Sequence, residues 1–523
     1  MSEQVPFFSV LTPVFDPPTA ALSAAIESVR GQTFRDWELI LVDDASTSDA
    51  VRALLARAAA GDERITVIER TANGGIVAAS NDAVQAARGQ FLALLDHDDV
   101  LVPHALERVH AVLAESPEAD YVYSDEDKID AQGERYDEFR KPGWSPERLR
   151  GQMYTSHFSV LRASLVREVG GFRAGYDGSQ DHDLVLRVTE RARRVLHVPA
   201  VLYHWRVVPG SAAGDAEAKP YAWVAGRCAV QDQLDRLGIP GVVSYGRVPG
   251  TYAIERIADP DTSVSVIIPT RGGSGLVWGE WRCFVVEAVA SVLARTRLTR
   301  MQLVVVYDLD TPPDVLERLR HLAGDRLVLV PFAEAFNFSA KCNAGFVAST
   351  GDVVVLLNDD IQAITDGFLE QLVAPLAEPS VGMTGARLLF ANGWLQHGGH
   401  AYQDGHLGHA FLGASPDDPG PFAALWVNRE CSGLTAACVA VRRETYEEVG
   451  GMCEELPGNF NDVDFSYKVR RTGGRLVWLA GVELYHFESQ TRDRVVHEWE
   501  YEFVTRRWSV ARHDAFLPDY SKE

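Results

Sequence analysis

The sequence predicts an α/β protein built from two doubly wound modules in tandem. Apolar segments such as "FFSVLTPVF" and "WELILVDD" alternate with helix-period segments such as "ALSAAIESVRGQ". That alternation implies a sheet whose parallel strands are crossed over by helices. The chain has 523 residues, too many for one ordinary core. It also repeats itself. "SVLTP" returns as "SVIIP", "FLALLDHDDVL" as "VVVLLNDDIQ", "REVGGF" as "EEVGGM", "GSQDHDLVLRV" as "NFNDVDFSYKV" and "LYHW" as "LYHF". The offset grows from 256 residues at Ser9 to 282 at His204. Ordered matches with a slowly drifting offset mark a duplication. One insertion in the second copy, around 387–430, accounts for the largest jump.

In the first copy, a strand ends at the Pro turn of "LTPVF", and a helix follows that stops at Gly31. "WELILVDD" is a second buried strand and "GQFLALLDHDD" a third. The second copy follows the same order. The modules are placed at 1–255 and 262–523. A helix over 217–238 closes the first, and the Gly/Pro-punctuated remainder of 215–261 forms a connector that can hold a short hairpin. In doubly wound sheets the ligand lies beyond the carboxyl ends of the strands. Thr12, Asp43, Asp44, Asp96 and Asp98 all fall at such ends, so topology alone predicts that they cluster.

Hydrophobic residues make up 46% and charged residues 24%, an ordinary globular balance, and the formal net charge is −23. A chain this acidic argues against a nucleic-acid partner, which needs Lys/Arg patches. It also disfavours simple electrostatic adhesion to an anionic membrane. No apolar run approaches the roughly 18 residues that span a bilayer, and the N-terminus lacks a signal-type pattern. The expectation is a cytoplasmic protein without a transmembrane segment. The six cysteines include no CxxC pair, which favours reduced thiols over a disulfide framework or a zinc site.

Several carboxylates at one strand end repel each other and are costly to bury. A hard divalent cation, Mg²⁺ or Mn²⁺, removes that cost and can bridge carboxylates to a diphosphate. A lone DxD is more often a solvated turn, but this one ends an apolar strand and recurs. Asp181 and Asp183 open a helix-like stretch, where a carboxylate serves as a general base or as an N-cap. His204 follows an apolar run. Asp181 and His204 are 23 residues apart, and Asp462 and His486 are 24 apart.

With these motifs in view, the chain resembles two fused glycosyltransferase family 2 modules of the GT-A fold, which implies a Rossmann-like, doubly wound mixed sheet in each. The runs "SVLTPVF", "LILVDDAST", "GSQDHDLVLRV" and "VLYHWRVVPGS" carry it in the first copy, and "SVIIPTRGG", "NFNDVDFSYKVRRTGG" and "ELYHFES" in the second. "YSDEDKID" and "LQHGGH" resemble tandem enzymes that build bacterial surface polysaccharides, O-antigen or rhamnose-containing chains among them. The resemblance implies UDP-, dTDP- or GDP-sugar donors, one Mg²⁺ or Mn²⁺ per module, and an inverting displacement. Thr12, Asp43, Asp44, Asn73 and Asp96 would then bind the nucleotide sugar. Asp98 and His204 would hold the metal, and Asp181 would be the catalytic base. In the second copy the nucleotide-sugar residues would be Thr270, Asp308, Asn358 and Asp359, the metal ligands Asp360 and His486, and the base Asp462. It further implies a glycan acceptor, lipid-linked and reached by peripheral association at the inner membrane face.

The ungapped alignment pairs Asp96 with Asn358, His97 with Asp359 and Asp98 with Asp360. Tyr307 replaces Asp43. These changes predict different donors for the two modules. They also keep open a second reading, in which the C-terminal copy is degenerate and binds glycan or supports the fold. A sugar nucleotidyltransferase is disfavoured, because "LTPVFDPP" lacks a Gly-rich basic phosphate loop. The segment with His397, His400, His406 and His409 reads as a mobile acceptor-binding loop rather than a zinc site. Trp144, Trp394 and His397 are the candidate acceptor residues, and ordinary packing is an equal reading for the tryptophans.

Overall fold

The structure, a computed structural model, describes residues 5–130, 132–207, 220–487 and 496–518. Two large sheets share one plan. The first runs Ile65–Glu69, Trp37–Asp43, Phe8–Val14, Phe91–Leu94, Ser159–Arg162, Tyr121–Ile129, Val195–Arg206, Val100–Leu101. The second runs Leu327–Phe332, Met301–Asp308, Val264–Thr270, Val353–Leu357, Cys438–Arg442, Val381–Leu389, Arg475–His486, Ile361–Ala363. In each, the first four strands are parallel. The fifth strand runs antiparallel to both of its neighbours. The sheets are therefore mixed, as in a GT-A module, and not parallel throughout. Every residue of Trp37–Asp43 and of Val264–Thr270 is buried. Helices cover both faces of these strands, which is why they read as unbroken apolar runs.

Much of the repeated sequence is scaffolding. Asn81 exchanges two hydrogen bonds with the backbone of Phe172, and Asn343 does the same with Met452. Each side chain clips the turn of a VGG motif, whose Gly171 (φ +68°) and Gly451 (φ +64°) adopt a conformation that disfavours a side chain. Ser9 and Ser265 accept from the amides of Gly89 and Gly351, 2.8 Å in both copies.

The connector forms the hairpin Gly241–Tyr245/Tyr252–Arg256 behind the helix Pro220–Leu237. The first three residues expected in that helix lie outside the described residues. A buried ionic seam joins the modules. Glu147, fully buried, pairs with Arg150 (3.0 Å) and Arg256 (2.6 Å), and both arginines continue to Glu378 of the second module. Ser145 and Arg475 meet on Glu430, and Phe139 stacks on Phe422. Isolated buried charges are costly, but each here has a partner of opposite sign.

Candidate active sites

In the first module the strand ends converge as topology requires. Asp43 caps the turn by accepting from Ser46 N (2.9 Å). Asp44 is buried and takes the Arg70 guanidinium and the amides of Gly74 (2.9 Å) and Gly75 (2.8 Å). Asn73 is exposed on the loop just before them. Thr12 is buried, its hydroxyl without a partner among the described residues. Asp96 lies with Asp99 and His157, one ligand atom from each within 4.8 Å of the others. Burial, together with Asp96, lifts Asp98 above the ordinary carboxylate range, and the same causes push Asp99 up to about 8. Asp99 accepts from Tyr203 Oη and from the Arg206 amide. Burial pulls His157 down, but its hydrogen bond and ion pair with Glu126 lift it to about 9.

His204 is buried. Its Nδ1 is bound to Asp127, and its Nε2 has no partner among the described residues. A ring fixed by a carboxylate on Nδ1, with Nε2 left to ligate, is the usual arrangement of a metal-binding histidine. The acidic cluster and this orphaned nitrogen therefore suit a hard divalent cation. Asp181 and Asp183 part company on the helix Gln180–Thr189. Asp183 is buried and bound by Arg173 and Arg187, a structural pairing. Asp181 stays half-exposed and accepts a hydrogen bond from the His182 amide. Trp144 is half-buried and packs against the core.

In the second module Thr270 Oγ1 donates to Asp359 (2.6 Å). Burial and the neighbouring Asp360 push Asp359 up to about 7. His486 Nε2 lies 3.1 Å from Asp360 and from Asn358 Nδ2, while its Nδ1 is 2.7 Å from Gln396 Oε1. Asp308 is met by Lys341, whose ammonium is fully buried and also donates to Thr270 O (2.9 Å). Asp464, like Asp183, is buried and tied to Lys468, Arg507 and Trp508. Asp462 again stays half-exposed. A cavity of about 340 Å³ gathers Thr270, Asn358, Asp359, Asp360, Asp462 and His486, with Lys341, His400 and His409 also in its wall.

Two sequence expectations change. Val100 pairs with His204, and Ile361 pairs with His486. Asp99, not Asp98, therefore occupies the place of Asp360. The turn is one residue shorter in the second copy, and the ungapped pairing of Asp98 with Asp360 does not hold. The histidine segment is also not a loose loop. His400–Gln403 and His406–His409 form a hairpin, with His397 and His400 buried. Trp394 is 49% exposed on the adjoining turn. Part of the "VVPGS" and "HFES" runs lies outside the described residues. Sequence reasoning missed Arg70, Lys341, Asp99, His157 and Gln396. It also missed the hairpin Ser274–Val277/Glu280–Cys283, an insertion held by Trp278 against Tyr485, Phe487 and the Ala391 carbonyl.

The model of the family described as glycosyl transferase family 2 matches residues 9–170 and again 265–450. The chain belongs to that family. This family 2 chain is 40% identical to an uncharacterized protein of Sinorhizobium fredii over 99% of its own length and 57% of that protein. It is 34% identical to the O-antigen biosynthesis protein RfbC of Myxococcus xanthus over 93% of its length and 38% of that protein. It is 29% identical to the chondroitin synthase of Escherichia coli over 45% of its length and 34% of that enzyme. The chain thus spans about half the length, or less, of these relatives. Among solved structures, S. aureus TarS in complex with UDP aligns with a TM-score of 0.34 at 18% identity, covering 44% of this chain and 71% of that one. Among the described residues, no helix is long and apolar enough to cross a membrane.

Proposed function

We propose that this family 2 glycosyltransferase carries two active sites, at 1–255 and 262–523. Each would transfer a sugar from a nucleotide-sugar donor to a growing bacterial surface glycan with inversion. The observation that carries this reading is the fate of the repeated acidic pairs. Asp183 and Asp464 are buried in ion pairs, whereas Asp181 and Asp462 are kept half-exposed at their helix starts. A free carboxylate in that place accepts the proton of the attacking hydroxyl. The cavity around Asp462 is of the size that holds a small ligand, which favours a working second site over a degenerate copy.

Asp96, Asp98, Asp99 and His204 would hold a Mg²⁺ or Mn²⁺ ion in the first site, and Asp359, Asp360 and His486 in the second. When bound, such an ion neutralises charge on the departing nucleoside diphosphate. Asp44 and Asp308 would face the nucleotide, each with a basic side chain already in place. O-antigen and chondroitin chemistry in the relatives supports a polymer-building role. A lipid-linked acceptor reached from the inner membrane face fits it. Two sites on one chain raise the local concentration of the growing end at the second.

The test is turnover of UDP-, dTDP- and GDP-sugars by the whole chain with Mn²⁺, with Mg²⁺ and with EDTA. Cation-dependent turnover of at least one donor is expected. No turnover of any donor with either cation would sink the proposal.

A further inference from the structure

His400 and His409 line the second cavity, and with the buried His397 they form a group of the kind that can hold a transition metal. His397, His400 and His409 pack edge to face in all three pairings, with ring centroids 4.9–5.0 Å apart. Their hydrogen bonds point elsewhere. His397 Nε2 accepts from the Thr435 amide (3.3 Å), so the ring proton belongs on Nδ1, which faces His409 Nδ1 at 2.8 Å. A metal held through Nδ1 would need an N–H on Nε2 and an acceptor opposite it. Here a donor stands there instead.

His400 is set differently. Its Nδ1 is 3.1 Å from the Tyr402 hydroxyl, and its Nε2 is 4.0 Å from Asp462 Oδ2. A ring nitrogen facing a carboxylate is favoured as N–H, so Tyr402 donates to Nδ1 and Nε2 carries the proton. The 4.0 Å gap leaves room for one oxygen atom off the line between them. Placed about 2.8 Å from each, it would make two hydrogen bonds of normal length.

We propose that His400 holds the reacting hydroxyl oxygen of the acceptor saccharide, so that its proton points at Asp462, and that the three-histidine cluster binds no metal ion. This rests on Asp462 being the base of the second site. His400 Nε2–H donates to the hydroxyl oxygen, and the hydroxyl donates to Asp462 Oδ2. As the oxygen bonds to the anomeric carbon, its proton passes to Asp462 and the bond to the nucleoside diphosphate breaks. His397, buried beside His400, is a neutral ring as well. Burial supports this, pushing His400 down to about 3 and His397 well below its ordinary value. His400 therefore stays a donor, not a competing base.

The test uses the whole 523-residue chain carrying Asp181→Asn, so that only the second site turns over. Acceptors are a pool of methyl glycosides, and UDP, dTDP and GDP binding with Mn²⁺ is followed by calorimetry. His400→Phe is expected to lower transfer about 100-fold while nucleotide affinity is retained, and His400→Gln, which keeps an N–H, to recover at least tenfold of it. Selectively ¹⁵N-histidine-labelled protein reads the tautomer of His400 directly, whether or not a donor is turned over, and Nε2–H is expected. Equal transfer by His400→Phe and the parent, a Gln variant no better than Phe, a parallel loss of nucleotide affinity, or an Nδ1–H tautomer would each overturn the role. Stoichiometric zinc that disappears in His397→Ala would overturn the metal-free reading. Failure of Asp462→Asn to reduce transfer would instead discard the base assignment beneath it.

Discussion

The two modules hold the same acidic strand end by different means. In the first, Asp44 is shared by Arg70, which leaves a strand end, and by two backbone amides at the start of a helix. In the second, Asp308 is held by a buried ammonium, Lys341, projecting from the helix Phe338–Ala348, with the half-exposed Arg271 3.6 Å away. At the proposed metal end, the first module gathers Asp96, Asp99 and His157. The second keeps two aspartates and Asn358, with His486 already 3.1 Å from Asp360. A duplicated scaffold has thus kept the position of charge while changing its source. On the proposed reading, such a change would re-tune which nucleotide and sugar fit without disturbing the fold.

The comparison can be broken first at its most buried point. Lys341→Met removes the buried cation of Asp308 and leaves it only the half-exposed Arg271, 3.6 Å away. It should cost about 3 kcal/mol of stability, the low end of the scale for breaking a buried pair. Arg70→Met leaves Asp44 its two amides and should cost about 1–2 kcal/mol. Urea unfolding of both variants checks the difference, and equal losses would mean that the two carboxylates are held alike.

A second distinction concerns pH. Asp99 and Asp359 have folded values raised to about 8 and about 7, against roughly 4 in the unfolded chain. Between these values the native state binds more protons than the unfolded state, so the stability these two carboxyls contribute is fully present below about pH 4 and is lost as pH rises toward 8. A divalent cation, by favouring the ionised forms, should flatten that slope. Melting temperature against pH, with and without Mn²⁺, reads this directly. A slope that Mn²⁺ leaves unchanged would place the ion elsewhere.

The smallest expected effect is Asn358→Asp. It restores the missing charge beside Asp359 and Asp360 and should tighten Mn²⁺ binding at the second site by up to about tenfold (~1.4 kcal/mol). Calorimetry on the variant measures it, and weaker binding would show that the amide is needed for its contact with His486.

The duplication, the strand ends and the half-exposed Asp181 and Asp462 were legible because each leaves a mark in sequence order. The shortened turn at Asn358 was not. An offset of 262 residues holds from Gly89 through Asp96, and only the pairing of Ile361 with His486 reveals the missing residue. The mixed sheet came from the family resemblance and not from the strand pattern, because short buried strands carry no directional signal. Arg70 and Lys341 escaped for opposite reasons. Arg70 looks like an ordinary surface arginine after a strand. Lys341 did leave a signal, a lysine amid "FNFSAKCNAGF", where an otherwise apolar helix face should bury its side chain. The histidine hairpin was taken for a loose loop because its glycines mark turns and not mobility.

The central claim is that both modules catalyse, and with different donors. The most direct test is turnover of a nucleotide-sugar panel by Asp181→Asn, Asp462→Asn and the double variant. Each single variant should lose a different donor activity by about 10²–10⁴-fold, and the double variant should lose both. If Asp462→Asn retains every activity while Asp181→Asn retains none, the second module is not a catalyst and the account is contradicted.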